Sequence, residues 1–103
     1  MSNLEKLEHA KLNTETATIP WREIEPFFAK GVVVLVEEHL DLVEVAFQIS
    51  RDNSAKVSEW IEQGNLLRDF DEQAARWSEE DAVVWCVVVR PWVLVQQSHL
   101  NAH

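Results

Sequence analysis

Residues 82–97, AVVWCVVVRPWVLVQQ, are apolar on both alternating faces until Arg90 and Pro91 interrupt them. In a strand Val83, Trp85, Val87 and Val89 point one way and Val84, Cys86 and Val88 the other, so both faces of the strand need a cover. Sixteen extended residues would span about 50 Å, while a compact domain of this length has a radius of gyration near 13 Å. A bend at Arg90 and Pro91 therefore divides the segment into two strands, 82–90 and 92–97.

Upstream, Val32 to Val36 is a short β-branched run between Gly31 and the acidic pair Glu37 and Glu38, and it reads as a third strand. The remaining chain reads as helices. Ser2 and Glu5 have the spacing of a capping box before a thin stripe of Leu4, Leu7 and Leu12. Residues 14–18 precede Pro20 and read as a connector, followed by a helix from Pro20 to Lys30 that Gly31 stops. Asp41 and Glu44 supply cap residues, and Leu40 and Val45 a hydrophobic staple, for a helix through Arg51. Asp52, Asn53 and Ser54 then turn the chain into a helix carrying Val57, Trp60 and Ile61, with Gly64 at its end. Asp69 and Glu72 suggest the cap of a last helix through Trp77. The expectation is an α+β fold: one domain over residues 1–97, about five short helices on a small sheet with strands near 32–36, 82–90 and 92–97, and a flexible tail over 98–103.

These residues resemble the small bacterial proteins grouped as the domain of unknown function DUF2288. The resemblance covers roughly residues 21–96. It rests on Trp21, on LDLVEVA at 40–46, on Asp52 and Asn53 ahead of Val57, Trp60 and Ile61, and on Pro91 followed by Val93, Leu94, Val95 and Gln96. Asp69 and Phe70, in place of a Pro and Ser/Thr helix start, and Arg90, in place of a glutamine, depart from the pattern. The resemblance brings no catalytic residue, ligand or partner with it.

Composition narrows the function classes. Eighteen acidic residues against nine basic give a net charge of −9, which repels nucleic-acid phosphates and anionic headgroups. Residues 53–77 imitate a helix-turn-helix, but the segment 68–81 holds six acids against two arginines, the wrong sign for a DNA groove. The N-terminus lacks the apolar run of a secretory signal, and no stretch approaches the length of a membrane helix. A single cysteine suits a reducing compartment, and the expected location is the cytoplasm.

Only one place gathers carboxylates and an imidazole: Glu37, Glu38 and His39 after the first strand, with Asp41 and Glu44 beyond. The cap already accounts for Asp41 and Glu44, and no second histidine stands at metal-ligand spacing. Cys86, between Trp85 and Val87, reads as a buried packing thiol with a raised pKa rather than as a nucleophile. No phosphate loop, nucleophile elbow or zinc spacing is present, so no cofactor and no metal is expected. Trp92, beside Arg90 at the strand break, is the candidate for an exposed contact, together with Val93. The leading expectation is a non-catalytic protein-interaction or scaffold module that binds through Arg90, Trp92 and Val93. Because a short chain has few helices to cover two sheet faces and the edges, it is also expected to form a homodimer. The alternative is a small-molecule or metal-dependent enzyme with its polar site at Glu37, Glu38 and His39.

Overall fold

The computed structural model describes residues 2–99. Five helices, α1 (Asn3–Glu15), α2 (Trp21–Ala29), α3 (Leu42–Ser50), α4 (Ser54–Glu62) and α5 (Asp71–Glu80), accompany five strands: β1 (Ala17–Pro20), β2 (Val33–Val36), β3 (Leu66–Leu67), β4 (Val83–Val89) and β5 (Trp92–Gln97). The fold is α+β with a mixed sheet in the order β1-β4-β5-β2-β3. The stretch 82–97 is a hairpin, β4 antiparallel to β5 from Val84 opposite Gln97 to Val89 opposite Trp92. Arg90 and Pro91, joined by a cis peptide, form the two-residue turn. β5 pairs in parallel with β2, which puts the hairpin at the centre of the sheet.

Alternation along these strands sorts the core into two halves. Val34, Val36, Val87 and Leu94 face Leu12 of α1, Val45 and Phe47 of α3 and Trp60 of α4. Val33, Val84, Val93 and Val95 face Trp21 and Ile24 of α2 and Ala74 and Trp77 of α5. Most of both faces of the hairpin is thus covered by helices of the same chain, with Trp85 and Val88 left exposed, one on each face. The second half is the more aromatic. Trp21 lies 5.1 Å from Trp77 and 5.6 Å from Phe28, and Phe28 lies 4.7 Å from Phe70, all between ring centroids and all tilted or edge-on, the arrangement that ring quadrupoles favour.

Two neighbouring amides fasten the sheet to both layers. Gln96 Nε2 donates to the carbonyls of Glu37 at 2.9 Å and Leu40 at 2.8 Å. Gln97, on the opposite face, accepts from the indole Nε1 of Trp77 at 2.8 Å.

Several local expectations change. The expected connector, 14–18, is divided between the end of α1 and the start of β1, because Ala17 to Pro20 pair with Cys86 to Val83. β3 has two residues and exists through pairing with Leu35 and Val36. The last helix starts at Asp71 with Phe70 as its N-cap and no side-chain cap bond, so Asp69 does not cap it. Its end is marked by Asp81 in a left-handed conformation, φ 53°. Asp41 does cap α3, accepting from the amides of Val43 and Glu44, and Ser2 with Glu5 forms a complete capping box. Within the expected tail, Ser98 is buried, and positions 100–103 lie outside the described residues.

Candidate functional site

The hairpin turn lies at the end of the sheet where α2 delivers the chain into β2. There the amide of Val93 donates to the carbonyl of Val32 at 2.9 Å. Arg68, just past β3, reaches the same place. Its Nη2 donates to the carbonyl of Gly31 at 2.7 Å, and its guanidinium lies 4.9 Å from the centroid of the Trp92 ring. A stacked guanidinium held by a carbonyl keeps several N–H donors free in a fixed direction. Gly31, at φ +78°, takes the backbone conformation that a side chain would strain.

Behind Trp92 the helical layer stands off the sheet and leaves a cavity of about 480 Å³. Its sheet wall is Val34, Leu66 and Trp92, and its helical wall is Ile49, Val57 and Ile61. The corner between α3 and α4, Asp52 to Ser54, and the guanidinium of Arg68 supply its polar groups. The backbone at that corner is fixed by local bonds. Asp52, at φ 60°, donates to the carbonyl of Ile49 at 3.0 Å and its carbonyl accepts from Ser54 at 2.8 Å. Asn53 caps α4 by accepting from the amide of Lys56. A mostly apolar hollow with a few placed polar groups is the usual form of a small-ligand site.

Of the three expected contact residues, Trp92 lines this cavity, Arg90 is exposed on the turn, and Val93 is buried on the opposite sheet face. Val93 therefore belongs to the core, since side chains alternate along β5. Arg68 is the residue that sequence reasoning passed over. It is one arginine in an acidic stretch, and only the pairing of β3 with β2 carries it to Trp92.

Glu37, Glu38 and His39 sit in the turn after β2, with Glu38 and His39 exposed. The imidazole beside Glu44 is that of His9, at 3.3 Å, not that of His39. Glu44 also accepts from Gln48 at 2.8 Å, so it belongs to the contact between α1 and α3. Among the described residues no three His, Cys, Asp or Glu side chains are grouped to hold a metal ion. Burial pushes the Cys86 thiol up to about 11, which keeps it protonated at neutral pH and unsuited to attack. Among the described residues no helix is long and apolar enough to cross a membrane.

The sequence matches the family described as "Protein of unknown function (DUF2288)" over residues 8–97. The solution structure of PA1075 from Pseudomonas aeruginosa is similar, with 40% sequence identity, a TM-score of 0.79, and coverage of 100% of this chain and 95% of that one. No curated protein matches the chain.

Proposed function

This chain belongs to the DUF2288 family, and on that premise we propose a non-catalytic binding module whose hairpin end captures an acidic partner protein. The observation that carries the reading is Arg68, stacked on Trp92 and without a carboxylate partner among the described residues of a strongly acidic chain. Lys30 and Arg90, at the same end, have no ion-pair partner among the described residues either, as is also true of Lys6 and Arg76, while Lys11, Arg22, Arg51 and Lys56 do. Phe27, 44% exposed beneath Lys30, and the half-buried Trp92 add aromatic surface beside this charge. Aromatic anchors ringed by cations suit a partner that offers carboxylates around an apolar contact, and the charge would steer the encounter.

The test is affinity capture from a native host, then direct binding of the purified partner. Arg90→Glu and Trp92→Ala should each weaken binding about tenfold or more while the far-UV circular dichroism stays unchanged. A partner that binds both variants as tightly as the parent protein would remove this surface from consideration.

Self-association remains part of the proposal, at a sheet edge. Helices of the chain itself cover most of both faces, so the edge is the stronger motive. The motive is instead the outer side of β4. β1 pairs only with Val83 to Cys86, leaving residues 87–89 without a strand on that side among the described residues, and Val88 is 49% exposed beside that edge on the sheet face it shares with Val93. Exposed edges of this kind accept a second strand. Val88→Lys should convert a dimer to a monomer by sedimentation at micromolar protein, and a parent protein that sediments as a monomer would end this part of the reading. The catalytic alternative has less to build on, because among the described residues Glu37, Glu38 and His39 belong to no group of three His, Cys, Asp or Glu side chains that could hold a metal ion. Stoichiometric metal in protein purified without a histidine tag, lost on His39→Ala, would reverse that preference.

A further inference from the structure

Asp52 and Arg68, both exposed, line one cavity, Asp52 from the corner between helices and Arg68 from beside the sheet. They carry opposite charges and do not pair with each other, and neither has an ion-pair partner among the described residues. Arg68 is held in place by Gly31 and Trp92, and the backbone around Asp52 by Ile49 and Ser54. Two unmatched charges of opposite sign, kept apart over an aliphatic hollow, are complementary to a ligand that carries one of each beside an apolar group.

We propose that this cavity binds a free α-amino acid with a large apolar side chain. The ligand carboxylate meets the guanidinium of Arg68, its ammonium meets the carboxylate of Asp52, and its side chain enters between Val34 and the helical residues Ile49, Val57 and Ile61. The volume of about 480 Å³ falls in the range of small-ligand pockets and has room for a side chain of the size of leucine or phenylalanine together with its backbone. A fatty acid would satisfy Arg68 but bring its anion toward Asp52, and an alkylamine would bring its cation toward Arg68. Of the three, only the zwitterion satisfies both, and hydrogen bonds between charged groups are the stronger kind. The inference goes beyond the docking surface, with which it shares Arg68 and Trp92, and it is tested apart from it, on the isolated chain with small ligands and with Asp52→Asn, a residue the docking surface does not use.

Calorimetric titration of the full chain with L-leucine, 4-methylpentanoate and 3-methylbutylamine separates the possibilities. L-Leucine should bind about tenfold or more tightly than either analogue, each of which lacks one charged contact. Asp52→Asn should erase the preference over 4-methylpentanoate, and Arg68→Gln the preference over 3-methylbutylamine, with amide resonances of Val34, Val57 and Ile61 shifting only when ligand binds. Equal binding of leucine and either analogue overturns the proposal. So does leucine binding that neither variant alters, or the absence of leucine binding at millimolar concentration, and the comparison of ligands on the unaltered chain holds even if a variant fails to fold.

Discussion

The two faces of the sheet are built to different standards. On the face of α2 and α5, four aromatic rings close on one another, and Trp21 and Trp77 are each 1% exposed. On the face of α1, α3 and α4 the packing is mainly aliphatic, and near the hairpin turn it opens into a cavity. The contrast teaches that stability and capacity have been placed on opposite sides of the same strands. Dense aromatic packing resists any loss of volume, whereas a wall that already borders a hollow has fewer contacts to lose.

The largest test of this contrast compares truncations. Trp77→Ala should cost about 3–5 kcal/mol in urea unfolding, and Val57→Ala, in the cavity wall, about 1 kcal/mol or less. Comparable losses at both sites would erase the distinction.

A second test uses Cys86, which packs against the aromatic face. Burial holds its thiol at about 11, above the ordinary 9.0, so the unfolded chain loses the thiol proton first. Stability from this group is therefore fully present below about pH 9 and falls as the pH rises toward 11. Cys86→Ala should flatten that decline, measured as the difference between the two unfolding curves across the alkaline range. Parallel curves would mean that the thiol is not shielded.

A finer test separates two buried indoles. Trp77 donates to Gln97, while the indole nitrogen of Trp21 is buried without a hydrogen-bond partner. Trp77→Phe should thus destabilise by about 1 kcal/mol more than Trp21→Phe, because only the first removes a hydrogen bond, leaving Gln97 Oε1 with the longer one from Gln73 at 3.4 Å. The smallest effect belongs to the open face. Hydrogen bonds from the backbone and side chain of Ser2, with a smaller contribution from Arg51, hold the Glu5 carboxyl below its usual value. The fixation of α1 by Glu5 is fully present above the usual carboxylate value and is lost as the pH falls below it through the lowered one, so protection factors of α1 amides should fall in acid, and Glu5→Gln should remove that dependence.

How far the sequence speaks for itself follows the same division. The hairpin, β2 and four helix starts were legible because each is announced by neighbours: alternation, a glycine stop, a cap residue. β1 and β3 were not, because neither Ala17 to Pro20 nor Leu66 and Leu67 has a strand signal of its own, and both take their form from partners far along the chain. Asp69 has a cap residue's chemistry, yet the chain turns one residue later. For the site, Trp92 stood out by its place at the turn, but Arg68 did not, since 24 residues separate it from the ring it covers. His39 attracted notice through sequence neighbours, whereas His9 reached Glu44 through the packing of α1 on α3.

Gln96 and Gln97 carry one more consequence. The first serves the layer above the sheet and the second the layer below. Were β5 to slide by a single residue, both amides would swap sides, and a valine or a residue from beyond the strand would take the place of one of them, leaving one set of partners unmet. The dipeptide is a registration mark at the end of an otherwise slippery valine-rich strand, recording which side of the ribbon is up.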